Sequence, residues 1–436
     1  MIDNPFTYGN PISNPGRFIG RQREVEQVYS RLLNAEAESS SIVGERRIGK
    51  TSLLHYLMHP EVRHRFSVDT NRYIFLYNDL QMIDPNTTPT RLGQRLMSQL
   101  ARECPDSEIK ETADRLRQAA VIDNFALADL FDAVDSKGIH VVFLLDEFEN
   151  VTANPNFGPD FFYGLRSLAI QHNLTLITSS RKELIDLTHS EVIRSSPFFN
   201  IFANINLRLF SPDEALELIE KSLQGGTVNF TSEEEKALIT LAGPHPYFLQ
   251  AASHFLYAAY AQSFDPPARL TFLKREYIEE AVPHWASYWR DSADHEKIVL
   301  TTLALLARQG KTKQHSFSLE NLRSLYNRSE ETLILLEKRA LLLPVQDRFA
   351  LFCEPFGDWI VREITNTMND QQTYEDWLRS NQDAMERLSR DARSQIGEIL
   401  PKISSKYRDL VIDWFSDPKN LVAVTALVKS AFVALA

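Results

Sequence analysis

Gly44-Glu45-Arg46-Arg47-Ile48-Gly49-Lys50-Thr51 fits the pattern G-x-x-x-x-G-K-[ST] without departure. Each residue type there answers a physical demand. Glycines let successive backbone N–H groups turn inward around phosphate oxygens, and a helix starting near Gly49 adds its positive end. Lys50 is placed to reach the β- and γ-phosphates and the Thr51 hydroxyl to take a position on Mg2+, with Glu45, Arg46, Arg47, Ile48 and Ser52 completing the cradle. Ser41-Ile42-Val43 reads as a short strand running into Gly44, and the chain is helical from Gly49 to about Met58. A strand–loop–helix context of this kind argues against a chance match in a turn.

Two further stretches belong with that loop. Val141-Val142-Phe143-Leu144-Leu145-Asp146-Glu147 is an apolar strand that delivers two carboxylates to the carboxyl end of a sheet. Asp146 is the candidate to hold Mg2+ beside Thr51, and Glu147 the candidate general base for an attacking water. The plainer alternative is a buried strand that simply ends in two solvated acids. Thr178-Ser179-Ser180-Arg181 closes another strand at the same edge, with Ser180 expected beside the nucleotide. Arg181 could make a charge-assisted fork to a γ-phosphate and so distinguish ATP from ADP, or it could pair with a surface acid.

Outward from these motifs the pattern is α/β. Tyr73–Tyr77, His140–Leu145, Leu174–Thr178 and Ile205–Leu209 are strand candidates separated by helical segments, including one long polar stretch at about 88–135. That order implies a doubly wound parallel sheet at 21–210, preceded by an extended arm at 1–20. Helices at about 212–224, 232–242 and 246–262 form a helical lid domain at 211–290, with capping-box signals at Ser211 and Thr231. Helices at about 296–308, 319–326 and 330–341 and a hairpin at 342–352 suggest a winged-helix domain at 291–365. A polar linker at 366–373 then leads into a helical segment at 374–436.

Composition excludes several classes. Lys and Arg total 47 against 58 Asp and Glu, a net charge of −11, which argues against a protein that coats nucleic acid or anionic lipid. Cys104 and Cys353 form no paired spacing, so neither a disulfide scaffold nor a cysteine zinc site is expected. No secretory leader and no apolar run of spanning length is visible, and a cytoplasmic location is expected.

With the motifs in place, the chain resembles the STAND class of AAA+-related P-loop ATPases, closest to bacterial and archaeal novel STAND members. Arg17-Phe18-Ile19-Gly20-Arg21-Gln22-Arg23-Glu24 looks like the family's lead-in motif, which implies an adenine contact from Phe18, Ile19, Gly20 and Arg21. Leu241-Ala242-Gly243-Pro244-His245-Pro246-Tyr247 looks like its glycine-x-proline motif, which implies that Pro246 packs on adenine. Both stretches have blander readings, as an anchor for the arm and as an interhelical breaker. The chain departs from the family pattern at Pro244, where a second glycine is common, and no methionine-histidine-aspartate motif stands in the winged-helix segment. No arginine finger is assigned, although Arg46 and Arg47 lie close.

The resemblance implies a Mg2+-dependent ATP/ADP switch that hydrolyses slowly and associates with itself in the ATP state. It also implies bacterial signalling, such as immunity or stress responses. The rival readings are an origin-recognition-like AAA+ protein that binds DNA through its winged helix, and a nucleotide-stabilised scaffold without turnover. Glu330 to Arg339, the expected recognition helix, holds three acids against two bases, which argues against DNA. The segment 374–436 carries nine basic and nine acidic residues and ends in the apolar run Leu421–Ala436. It is the expected docking element for a protein effector, with a buried bundle helix as the plainer account. A membrane role is disfavoured because 16 residues interrupted by Lys429 are too short to span.

Overall fold

The computed structural model describes residues 4–194, 196–307, 316–318, 329–345 and 348–369. They fall into two compact units, one at Thr7–Gly226 and the other formed by the residues before Thr7 together with those from Thr227 onward.

In the first unit five strands form one parallel sheet: β1 (Ser40–Val43), β2 (Tyr73–Asp79), β3 (His140–Asp146), β4 (Leu174–Ser180) and β5 (Ala203–Asn206). Their spatial order is β2-β3-β4-β1-β5, and every pairing is parallel. The expected doubly wound α/β architecture is therefore the observed one. All residues of β3 and β4 are buried, and β3 accordingly reads as a near-continuous apolar run without alternation. Val141, Phe143 and Leu145 of β3 pack with Leu174 and Leu176 of β4 and with Phe148, Phe162 and Phe198. The sequence of β1, β3 and β4 along the sheet brings three carboxyl ends together beside the point where the strand order reverses. An α/β sheet holds ligands at such a point.

Three expectations shift in detail. The long helical stretch is three helices, Pro89–Glu103, Ser107–Gln118 and Asn124–Ser136. Pro105 ends the first, and the Asp106 and Asp123 side chains cap the next two by accepting backbone N–H bonds. The last strand lies at Ala203–Asn206, not 205–209, because its partner β1 ends where the loop begins. Leu207 makes one final bond to Val43 O and then turns under the loop. Helix Pro212–Leu223 has the expected capping box at Ser211 and Glu214, but it groups with the sheet unit.

The second unit contains helices Ser232–Ala242, Pro246–Ala261, Pro266–Arg290, Asp294–Leu306, Ser329–Lys338 and Glu354–Asn369. Phe317–Ser318, Leu342–Val345 and Arg348–Leu351 form a small antiparallel sheet with Arg348–Leu351 in the middle. Pro266–Arg290 carries Pro266 and Pro267 at its start and Pro283 inside, a composition that hides a 25-residue helix from a reading of breakers. Glu354–Asn369 runs into what the sequence marks as a linker. The helix expected at 319–326 and the segment 374–436 lie outside the described residues. Among the described residues no helix is long and apolar enough to cross a membrane, and both cysteines are free thiols.

This unit is held by a buried aromatic cluster and a buried ion pair. Phe248 stacks on Phe352 at 5.4 Å, with Trp285 and Phe356 around them. Arg339 meets Glu296 at 2.8 Å and also donates to Ser292 Oγ. Gly243 sits where this packing is tightest. Its φ is +61°, and a Cβ there would collide with the backbone carbonyl of Phe352. Gly243→Ala should therefore destabilise this unit by about 2 kcal/mol or more. All five tryptophans lie beyond residue 284, so thermal unfolding followed by tryptophan fluorescence reports on this unit, and its midpoint should fall by several degrees.

Candidate active site

β1 ends at Val43, and the loop after it closes back on the sheet. Gly44 N donates to Ser180 O at 3.1 Å. A Cβ on Gly44 would stand 2.7 Å from Ile48 Cγ2 and 3.2 Å from Leu207 Cβ, so only glycine leaves room for the buried Ile48 side chain. Gly49 then takes φ +104°, with open space where its Cβ would be, and starts helix Lys50–Met58 without a side-chain cap. The first N–H groups of a helix have no intrahelical partner and attract anions. Lys50 is buried, with Nζ 3.1 Å from Gly44 O, 3.5 Å from Glu45 O and 3.8 Å from Glu147 Oε1.

Asp146, at the end of β3, is the hub. Its Oδ2 accepts from Thr51 Oγ1 at 2.7 Å and from Tyr77 OH at 3.0 Å. Its Oδ1 accepts from Ser179 Oγ and from Glu147 N. Burial, and after it the adjacent Asp146 carboxylate, hold the Tyr77 phenol well above its usual range, so it remains a donor. His55 packs edge-on against Tyr77, and burial pulls its pKa down against the opposing pull of Asp146.

Glu147 has φ +55°, a left-handed backbone that costs a non-glycine residue roughly 1–2 kcal/mol. Its N–H is held by Ser179 Oγ at 3.1 Å, and the next residue, Phe148, donates to Ser179 O at 2.8 Å and is fully buried. That turn lifts the Glu147 carboxylate out of the core. Two residues later Glu149 turns back inward. Its Oε1 accepts from Arg181 N at 3.2 Å and lies 3.4 Å from Arg181 Nε, while its Oε2 is buried and unsatisfied. Burial, and then the Glu147 carboxylate, push the Glu149 carboxyl up to about 7 against the pull of Lys50 and Arg181.

The residues singled out in the sequence do not all converge. Gly44 to Gly49, Lys50, Thr51, Asp146 and Glu147 converge on one edge of the sheet. Ser180 is at that edge, but its hydroxyl is buried and donates to Lys182 O, while the neighbouring Ser179 reaches Asp146. Ser52 Oγ is taken by the N–H of Ile12, and Phe18 stacks on Tyr56 at 4.2 Å, so the arm lies along the first helix of the loop. Ile19 is buried. Arg21, left-handed after Gly20, donates to Ile48 O and Arg208 O and lies over the Phe210 ring; burial lowers its pKa. It braces the loop from the protein side. Pro246 begins a helix of the second unit.

Tyr77, Ser179 and Glu149 are site residues that motif spacing did not single out. The signal for Tyr77 is a hydroxyl at the end of an otherwise apolar strand. For Ser179 it is the parallel register, which pairs Leu145 with Thr178 and so puts Asp146 next to Ser179. Together the residues suit a nucleoside triphosphate with a divalent cation: an open glycine cradle, a buried lysine, and a hydroxyl–carboxylate pair of hard oxygen donors.

The family model for novel STAND NTPase 2 matches residues 30–304. The chain belongs to that family. It is thus an NTPase of STAND type, and the site just described is its P-loop. Its fold is similar to the Walker-type ATPase of Pyrococcus abyssi, at 15% identity and TM-score 0.51, over 82% of this chain and 99% of that one. It is also similar to the ORC2 protein of Aeropyrum pernix, solved as ADPNP–ADP complexes, at 14% identity and TM-score 0.54, over 84% and 98% of the two chains. Among curated proteins no sequence matches the chain.

Glu149 also makes stability depend on pH. The folded chain keeps its proton up to about 7, whereas an ordinary glutamate releases it near 4.5. The unfolded state therefore binds fewer protons between those values, and stability contributed at this site falls as pH rises through that window. Glu149→Gln removes the slope. Its melting temperature should exceed the wild-type value above pH 7, and the difference should shrink toward pH 5 in a thermal-shift series.

Proposed function

We propose that this STAND NTPase is an ATP-dependent conformational switch whose hydrolysis resets it. The observation that carries the reading is the closure of Thr51, Asp146, Lys50 and Glu147 around one point at the sheet edge. The loop N–H groups and Lys50 bind the β- and γ-phosphates of ATP or ADP, with Lys50 leaving its loop carbonyls to do so. Thr51 and Asp146 would hold Mg2+, which supplies charge neutralisation for the departing phosphate. Glu147, held upright by its left-handed turn, takes the proton of the attacking water. Arg181 contributes charge where only a triphosphate extends.

Inverting a 1:99 population takes ~5.5 kcal/mol of differential binding. Charge-assisted hydrogen bonds contribute roughly 1.5–3 kcal/mol each, so two or three γ-phosphate contacts suffice. Within the second unit we read residues 291–365, with helices Asp294–Leu306 and Ser329–Lys338 and the antiparallel sheet, as a winged-helix lever. On Ser329–Lys338 the exposed residues are Glu330, Glu331, Ile334 and Leu335, while Arg339 is buried against Glu296. An acidic and aliphatic face suits a protein partner or another copy better than phosphates. The origin-recognition-like reading would require salt-sensitive duplex binding at physiological ionic strength. The segment 374–436 is the proposed effector-docking element.

Lys50→Ala should abolish nucleotide binding, and Glu147→Gln should bind ATP but lose turnover by a factor of roughly 10²–10⁴. Size-exclusion chromatography with light scattering should show a larger or differently shaped species with ATPγS than with ADP. Identical mass and shape in both would sink the switch. Nucleotide-dependent tryptophan fluorescence should accompany the change, because the tryptophans all lie outside the P-loop unit.

A further inference from the structure

Glu149 is an odd residue to find beside a nucleotide site. It opens the short helix Glu149–Thr152 just past Glu147, and its side chain is 9% exposed. One carboxylate oxygen takes both contacts from Arg181, and the other is buried and unsatisfied. Buried carboxylates in structural roles are ordinarily satisfied on both oxygens. The pair meets at 3.4 Å through Nε, longer than the ~2.7–2.9 Å of a charge-assisted bond. As a structural tie this is a poor one. As the resting place of a cation that has to leave, it has the right features.

We propose that Glu149 is a positioning residue that retains Arg181 at the β3–β4 edge until a γ-phosphate competes for it, and so sets the preference of the site for ATP over ADP. The inference rests on the reading of Arg181 given above and adds what restrains that residue. Above pH 7, where Glu149 is ionised, departure of Arg181 leaves it a buried carboxylate near Glu147, with Lys50 as a remaining cation acting on it. Leaving a buried charge without its partner cation in this way opposes release. ADP offers Arg181 nothing beyond the β-phosphate, so the pair survives. A γ-phosphate brings enough negative charge to draw the guanidinium away. The grip of Glu149 is therefore a cost that falls on ATP alone: a tighter hold lowers the preference for ATP, and a looser one raises it.

The test is the ratio of the ADP and ATPγS dissociation constants, both with Mg2+, measured by calorimetry on the full chain. Glu149→Gln should raise that ratio about tenfold, because ATPγS no longer has to break the ion pair. Arg181→Gln should collapse the ratio toward one, and adding Glu149→Gln to it should change nothing further. Glu149→Asp, which keeps the charge but retracts it, should give an intermediate ratio and serves if the glutamine variant does not fold. A Glu149→Gln ratio within twofold of wild type, with Arg181→Gln still collapsing it, overturns the restraint and leaves the switch intact. Equal weakening of both nucleotides shows a merely structural role and overturns it as well. An unchanged ratio in Arg181→Gln overturns the assignment of Arg181 and the restraint together.

Discussion

The carboxylate of Asp146 ties the site together. It receives Thr51 from the loop helix, Tyr77 from β2, Ser179 from β4 and the N–H of Glu147 from its own strand's exit. A buried carboxylate is costly unless its oxygens are satisfied, and Asp146 accepts donors from the loop helix, β2, β4 and its own strand's exit. The consequence reaches beyond the single residue. Because Ser179 also holds the Glu147 N–H, the same hydrogen bonds that stabilise Asp146 keep Glu147 in its left-handed turn. The proposed metal ligand and the proposed base are thus aligned by one network.

Around that hub the charges alternate. Lys50 stands against Glu147 and Arg181 against Glu149, so two cations and two carboxylates share the edge of β3 and β4. In a pocket of low dielectric such an array is sensitive to any added charge. A polyphosphate is the strongest perturbation it can meet, since it competes for both cations at once. The arm contributes differently. Arg21 and Phe18 are engaged by protein atoms and stiffen the loop and its helix from behind.

Much of this was legible in the residues. G-x-x-x-x-G-K-T needs no tertiary information because its geometry is local: the glycines, the strand before and the helix after are consecutive in sequence. The apolar run before Asp146 likewise announces a strand buried on both faces. The partners of Asp146 were not legible in the same way. Thr178-Ser179-Ser180 offers three hydroxyls, and only the register of β4 against β3 selects Ser179. Ser180, one residue on, turns its hydroxyl to Lys182 O instead. Pro266–Arg290 was hidden for a different reason, since its prolines read as breakers while the packing of Tyr277 and Trp285 holds the helix.

By itself, then, the sequence determined the class of the sheet, the phosphate loop and the two acids at the tip of β3, since each depends on neighbours within a few positions. Tertiary structure alone decided which hydroxyls face Asp146, why Gly243 has no room for a side chain, and that the buried Glu149 lies against Arg181. Those are contacts between distant segments. Their outcome turns on strand register and burial, which no short stretch of sequence encodes.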